Sequence, residues 1–222
     1  VSGNYAYLAG SPRVFILDIS NPQNPIAISD YPYNCESITK AGNYIFAGNA
    51  ILNVADPYHP YQIGTCGGPG ACAVKGNYLY KIGALRLPIY DISDISSPIK
   101  VDSLEIIGQG LTIVGDNLYI GEGDYNTFDV YQLHVVHIAD PLRLKIIGYY
   151  SKINSGGGGP SYLLKVSGEY IYLPTTDGGL QIYRFTGMPA IQETKASNFI
   201  KNPIQIIPNP FRDRVLFNVD HK

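Results

Sequence analysis

The sequence predicts an all-β protein, a β-propeller of about five four-stranded antiparallel blades, either partial or closed by a late strand. Three observations predict it. The opening stretch VSGNYAYLAG returns in four relatives: KAGNYIFAGN, VKGNYLYKIG, VGDNLYIGEG and VSGEYIYLPT. Their glycines (Gly3, Gly42, Gly76, Gly115 and Gly168) are 34 to 39 residues apart over the first four copies, and the last gap is longer. A period near 40 with four strands per unit suits a propeller, because one small sheet cannot bury both its faces unless copies stack on it. Composition agrees: 19 Tyr, 24 Gly and 16 Pro stand beside one Met and no Trp, a mixture that favours strands and tight turns. No stretch carries the i, i+3, i+4 apolar period of a helix. A parallel β-helix is the competing repeat architecture, but its coils are shorter and lack hairpin turns.

The elements follow in the same order within each copy. A Gly-Asn pair (Asp-Asn or Gly-Glu in two copies) precedes Tyr or Leu and an apolar run. Those turn residues tolerate positive φ, which is hairpin chemistry. A second apolar run comes next: VFILDIS, ILNVADP, LPIYDIS, LHVVHIADP or LQIYRF. The continuous run VFILDI suits a strand covered on both faces. A proline turn follows in NPQNP, DPYHP and DISSP, and DPLR keeps one proline. A further strand closes the unit: IAISDY, YQIGTC, IKVDSL or LKIIGYY. In the second unit the four strands fall near 35–40, 44–47, 51–55 and 61–66. The long last gap predicts an insertion that lengthens the fourth blade. The chain opens at the second strand of a blade, and with Val rather than Met, which predicts a processed or truncated piece of a longer protein. Alternatively a late strand, with NFIKNPIQII as the candidate, pairs beside the first blade and removes a free sheet edge.

Composition also bounds partners. A net charge of -2 gives no electrostatic case for nucleic acid or an anionic membrane. No run of about 18 apolar residues is present, so no membrane-spanning helix is expected. Charged residues make up 15% of the chain against roughly 25% in an average domain, and with the many tyrosines this permits self-association. Cys35, Cys66 and Cys72 are an odd count. Small buried thiols in strands are the simpler reading, and a Cys66–Cys72 disulfide across GGPGA is the alternative for an exported protein.

Candidate chemistry is sparse. His134 and His137 in LHVVHI are three apart in a strand, so they point to opposite faces and cannot chelate one ion together. Asp124, Asn126 and Asp129 in GEGDYNTFDVYQ offer oxygen ligands on a loop, which makes them the calcium candidate, although the spacing is not that of an EF-hand. INSGGGGPSY has backbone amides for an anion nest, but a loop between blades is the plainer reading. Tyr5, Tyr7, Tyr44, Tyr78, Tyr80, Tyr119, Tyr170 and Tyr172 recur at equivalent strand positions, which argues for packing between blades. For a hydrolase or lyase at a central channel the nearest candidates are Asp18, Asp91, Arg86 and Arg184. Asp18 and Asp91 are equivalent in the repeat, and catalysis breaks such symmetry. Their carboxylates are expected to cap the following turn instead.

The run ending in Asp-Ile-Ser with its proline turn resembles the LVIVD repeat. VFILDISNPQNPIAISDY at 14–31 matches it best, followed by LPIYDISDISSPIKVDSL at 87–104. Other copies put Asn53, His137 or Arg184 in place of its Asp. The resemblance covers 1–187 and implies a secreted or surface-attached propeller of bacterial or archaeal type. The tail NPIQIIPNPFRDRVLFNVDHK breaks the repeat and resembles the start of the type A sorting domain of the type 9 secretion system. Three segments are therefore expected: the propeller at 1–187, a linker or closing strand at 188–202 and the start of a sorting-type β domain at 203–222. Function is expected to be that of an exported, non-enzymatic binding or structural module that contacts protein or glycan at the cell surface. No cofactor is expected beyond the calcium candidate.

Overall fold

A computed structural model describes residues 1–83, 86–123, 130–153, 164–175, 179–185 and 204–207. The described strands form five antiparallel meanders in chain order. Blade one holds β1 (Tyr5–Leu8), β2 (Val14–Asp18) and β3 (Ile26–Tyr31). Blade two holds β4 (Ile38–Ala41), β5 (Tyr44–Ala47), β6 (Ala50–Asn53) and β7 (Tyr61–Thr65). Blade three holds β8 (Cys72–Lys75), β9 (Tyr78–Lys81), β10 (Leu87–Asp91) and β11 (Ile99–Leu104). Blade four holds β12 (Gly110–Val114), β13 (Asn117–Gly123), β14 (Val130–His137) and β15 (Lys145–Ile153). Blade five holds β16 (Lys165–Ser167), β17 (Tyr170–Thr175), β18 (Gly179–Phe185) and β19 (Ile204–Ile207). First strands neighbour one another, β4 with β8, β8 with β12 and β12 with β16. They therefore lie innermost, and the sheets radiate from them as propeller blades.

Strand alternation builds the core. Ile45 and Leu52 join Val14 and Ile16 between blades one and two. The adjacent Phe46 and Ile51 turn the other way and meet Leu79 between blades two and three. Tyr80 and Ile89 then meet Leu118 and Ile120, while Tyr119 and Val135 meet Ile171 and Tyr183. Period-2 geometry thus divides each central strand between two seams. Each fully buried side chain of this size contributes about 1.5–3 kcal/mol. In VFILD the alternation is incomplete: Val14 and Ile16 are buried, but Phe15 and Leu17 are only half-buried. Among the described residues the apolar cluster that this sheet joins is the one shared with blade two.

The turns carry the repeat into three dimensions. Gly3, Gly42, Gly76, Gly115 and Gly168 have φ of 55–60°, a region side chains rarely enter. Beside each of them the same bond recurs. The amide N–H of Ile19, Val54, Ile92, Ile138 and Phe185 donates to the carbonyl of Asn4, Asn43, Asn77, Asp116 and Glu169, at 2.7–2.9 Å. A β-bulge also recurs in four blades, leaving Ile28, Ile63, Val101 and Ile147 as the extra residue. Nothing in the apolar pattern announces it, because the surplus residue is aliphatic like its neighbours.

Two expectations change. The first strand of blade two is Ile38–Ala41 rather than 35–40, because the chain first runs inward from the outer strand before it. The late strand does not pair beside blade one. Ile204–Ile207 pairs with β18, where every other unit has its fourth strand, and completes blade five. At blade one Ser2 bridges to Tyr5, as Ala41 pairs with Tyr44 in blade two. Blade four has the longer strands that the insertion predicted.

Burial sets an alkaline limit on stability. Desolvation pushes the Tyr80 hydroxyl from 10.0 up to about 12, and the Cys66 thiol from 9.0 up to about 11. Above those ordinary values the unfolded chain sheds protons that the folded one keeps, so stability falls as pH rises. The loss is at most about 1.4 kcal/mol per pH unit for each group. Urea titrations at pH 8 and pH 11 should show the fall, with a shallower one in Tyr80→Phe. Equal slopes would place the alkaline limit elsewhere.

Candidate functional site

Each meander has a turn end, with the Gly-Asn and proline turns, and a loop end that leads to the next blade. Asp18 and Asp91 close the third strand at the turn end. Asp18 Oδ1 accepts the Ser20 N–H at 2.8 Å, and Asp91 Oδ1 accepts the Ser93 N–H at 2.8 Å. Asn53 does the same for Ala55 at 2.9 Å. A second such turn follows: Asn21 accepts from Gln23, Asp56 from Tyr58, Asp94 from Ser96 and Asp140 from Leu142, at 2.9–3.2 Å. The capping role expected of Asp18 and Asp91 is what the geometry shows. Hydrogen bonds from Ser20 and from Ser93 hold their carboxyls below the usual range. Their contribution is present above the ordinary value of 3.8 and is lost as pH falls through the lowered one. Asp91→Ala should lower Tm slightly at pH 7, and Asp91→Asn, which keeps the acceptor, should lower it less. Identical Tm values for all three proteins would show the turn to be indifferent to its cap.

The remaining channel candidates do not converge. Arg86 pairs with Glu105 at 2.8 Å at the loop end of blade three. Arg184 pairs with Glu169 at 2.9 Å at the turn end of blade five. His137 Nδ1 lies 3.2 Å from Asn117 Oδ1, whereas the His134 ring stacks obliquely on Tyr149 with centroids 5.0 Å apart. Asp124, Asn126 and Asp129 lie outside the described residues, as do 154–162 of the glycine-rich loop. Among the described residues no group of three His, Cys, Asp or Glu is assembled, and no helix is long and apolar enough to cross a membrane. Of the recurring tyrosines, Tyr80 and Tyr119 are buried, and Tyr5, Tyr7, Tyr44 and Tyr78 pack against core clusters.

A group the sequence reading missed lies in the seam between blades two and three. Lys81 is only 2% exposed, and its Nζ donates across the seam to the Gly48 carbonyl. The equivalent positions are Leu8, Ala47, Ile120 and Leu173, so one lysine in an apolar column was the available signal. Cys66 and Cys72 are free and buried beside it, and among the described residues they are the ionisable groups that act on it. Desolvation lowers the Lys81 ammonium and raises both thiols. Gly67 roofs the group so closely that a Cβ there would sit 2.8 Å from Tyr90 Oη and 3.2 Å from Lys81 Cδ. A substrate cannot reach an amine so enclosed, and protonated thiols are poor nucleophiles. The cluster joins two blades.

Comparison with known proteins agrees with this architecture. The LVIVD repeat family profile matches residues 1–32 and 70–105, which include the turns capped by Asp18 and Asp91. A protein from Lactobacillus plantarum superposes with a TM-score of 0.66 at 10% identity, over 93% of this chain and 68% of its own. The computationally designed protein Ika8 does so with a TM-score of 0.54 at 12% identity, over 83% of this chain and 56% of its own. The chain thus spans just over half of the designed protein. At such identities the likeness is one of fold alone. No curated protein matches the sequence significantly.

Proposed function

We propose that this propeller is an exported, non-enzymatic module that binds protein or glycan at a cell surface. One observation carries the reading. Conspicuous polar side chains of the repeat are spent on structure, with Asp18 and Asp91 in turns and Arg86 and Arg184 in surface ion pairs at opposite ends. An active site needs such groups to converge, whereas a binding module needs a rigid body with varied surface turns. Export is supported by the resemblance of the Pro-Asn-Pro-Phe tail to a type 9 sorting domain. A cation at Asp124, Asn126 and Asp129 belongs to the same proposal.

The test is retention without turnover. Purified protein incubated with cell-envelope fractions should be held saturably and should release neither reducing sugar nor peptide. Product that accumulates in proportion to time would make it an enzyme instead.

A further inference from the structure

Unit two departs from the repeat at three linked positions. Asn53 replaces the turn-capping Asp. Directly across the ladder from it stands Tyr61, where the other pairs are Asp18 with Ile26, Asp91 with Ile99, His137 with Lys145 and Arg184 with Gln205. Tyr58, in the turn between them, replaces Gln23, Ser96 or Leu142. The first two changes depend on each other. Asn53 Oδ1 accepts the Ala55 N–H at 2.9 Å while its Nδ2 donates to Tyr61 Oη at 3.0 Å. An aspartate could also cap the turn and bond the phenol, but only by accepting its O–H, whereas Asn53 donates to Oη and leaves that O–H for a ligand. Asn53 therefore keeps the turn and fixes the ring.

The rest of the turn is equally constrained. Pro57 and Pro60 fix their φ. The Ser29 hydroxyl of blade one donates to the Pro57 carbonyl. Asp56 accepts from the Tyr58 N–H at 2.9 Å and holds His59 Nδ1 at 2.8 Å, which leaves the imidazole Nε2 for a ligand. The bond to His59, followed by that from Tyr58, keeps the Asp56 carboxyl below its usual range. Yet this anchored turn leaves Tyr58 52% and Tyr61 54% exposed. By contrast Tyr80, Tyr119 and Tyr183, which pack in the seams, are buried. Two that are ordered, half-exposed and three residues apart are poor choices for packing.

We infer that Tyr58 and Tyr61, with His59 between them, form a binding platform for a neutral polysaccharide. The inference deepens the proposed function and rests on it. Flat aromatic faces cover the C–H faces of pyranose rings, and phenol, imidazole and amide groups at their edges bond the hydroxyls. Two half-exposed rings three residues apart suit a polymer whose successive sugar rings each meet one aromatic face. Asn53 acts as a positioning residue.

Affinity electrophoresis through gels containing a soluble β-glucan, a mannan or a xylan tests this. At least one polymer should retard the wild-type protein. Tyr58→Ala/Tyr61→Ala should weaken that at least tenfold, and Asn53→Asp severalfold. Ile26→Ala, at the equivalent place in blade one, should leave it unchanged. All four proteins should melt alike, because the altered rings are exposed. Retardation equal in wild type and double variant would overturn the site while leaving glycan binding intact. Absence of retardation by all three polymers, with envelope protein still captured, would overturn the ligand class alone. Cleavage of the polymer would remove the non-enzymatic reading beneath it.

Discussion

Gly70→Ala should unfold this protein more readily than any other single-methyl change described here, with a loss of about 3 kcal/mol. Gly70 has φ of 131°, where only glycine is comfortable, and a Cβ built there would clash with the Ile82 carbonyl oxygen. The added Cβ is fixed by its own backbone, and the Ile82 carbonyl belongs to a residue whose N–H is bonded to the Ala71 carbonyl at 2.8 Å. The loop that enters blade three would have to lift off the seam and expose Cys66, Cys72 and Lys81. For a chain this long the fall in Tm is about 6–12 °C. Gly68, two residues earlier in the same loop, has nothing within 4 Å of a Cβ. Gly68→Ala should therefore change stability by no more than about 0.5 kcal/mol. Equal melting temperatures for the two variants would show that the loop does not hold the seam.

Lys81→Ala should cost about 3 kcal/mol, since it removes a long buried stem and strands the Gly48 carbonyl. Lys81→Met keeps the stem. It loses the bond to Gly48 but also the burial of an ammonium with no carboxylate beside it, and the two effects should offset to within about 1 kcal/mol. The pH dependence separates them. Burial lowers the Lys81 ammonium below its ordinary 10.5, so the cost of enclosing the charge is fully present below the lowered value. That cost is relieved as pH rises from the lowered value towards 10.5. Wild type should therefore gain on Lys81→Met between neutral and alkaline pH, and the loss of the Lys81 charge, which lowers both thiols, acts in the same direction. A difference that stays flat from pH 7 to pH 10.5 would mean that the amine is not desolvated.

Much of the architecture was legible because its determinants are local and repeated. A glycine turn before an apolar run favours a positive φ and a hairpin, and five copies, the first four at a period near 40, call for five similar sheets. The role of Asp18 and Asp91 was legible for the same reason, since an Asx turn spans two residues. Lys81 was not, because its burial depends on Gly48 from another blade and on a glycine loop that folds over it. Nor was the pairing of Ile204–Ile207 with β18, which joins segments separated by a break in the repeat. The Asn53–Tyr61 link could have been found by aligning the copies and asking which departures from the repeat occur together.

The four apolar clusters have an ordering consequence. Among the described residues blades two, three and four are each gripped from both sides, while blades one and five are gripped from one. Opening should therefore begin at the flanks and advance towards the middle, in the manner of a short linear array. Amides of β9 and β10 are expected to exchange last, and those of β1 and β18 to vanish first from a deuterium time course.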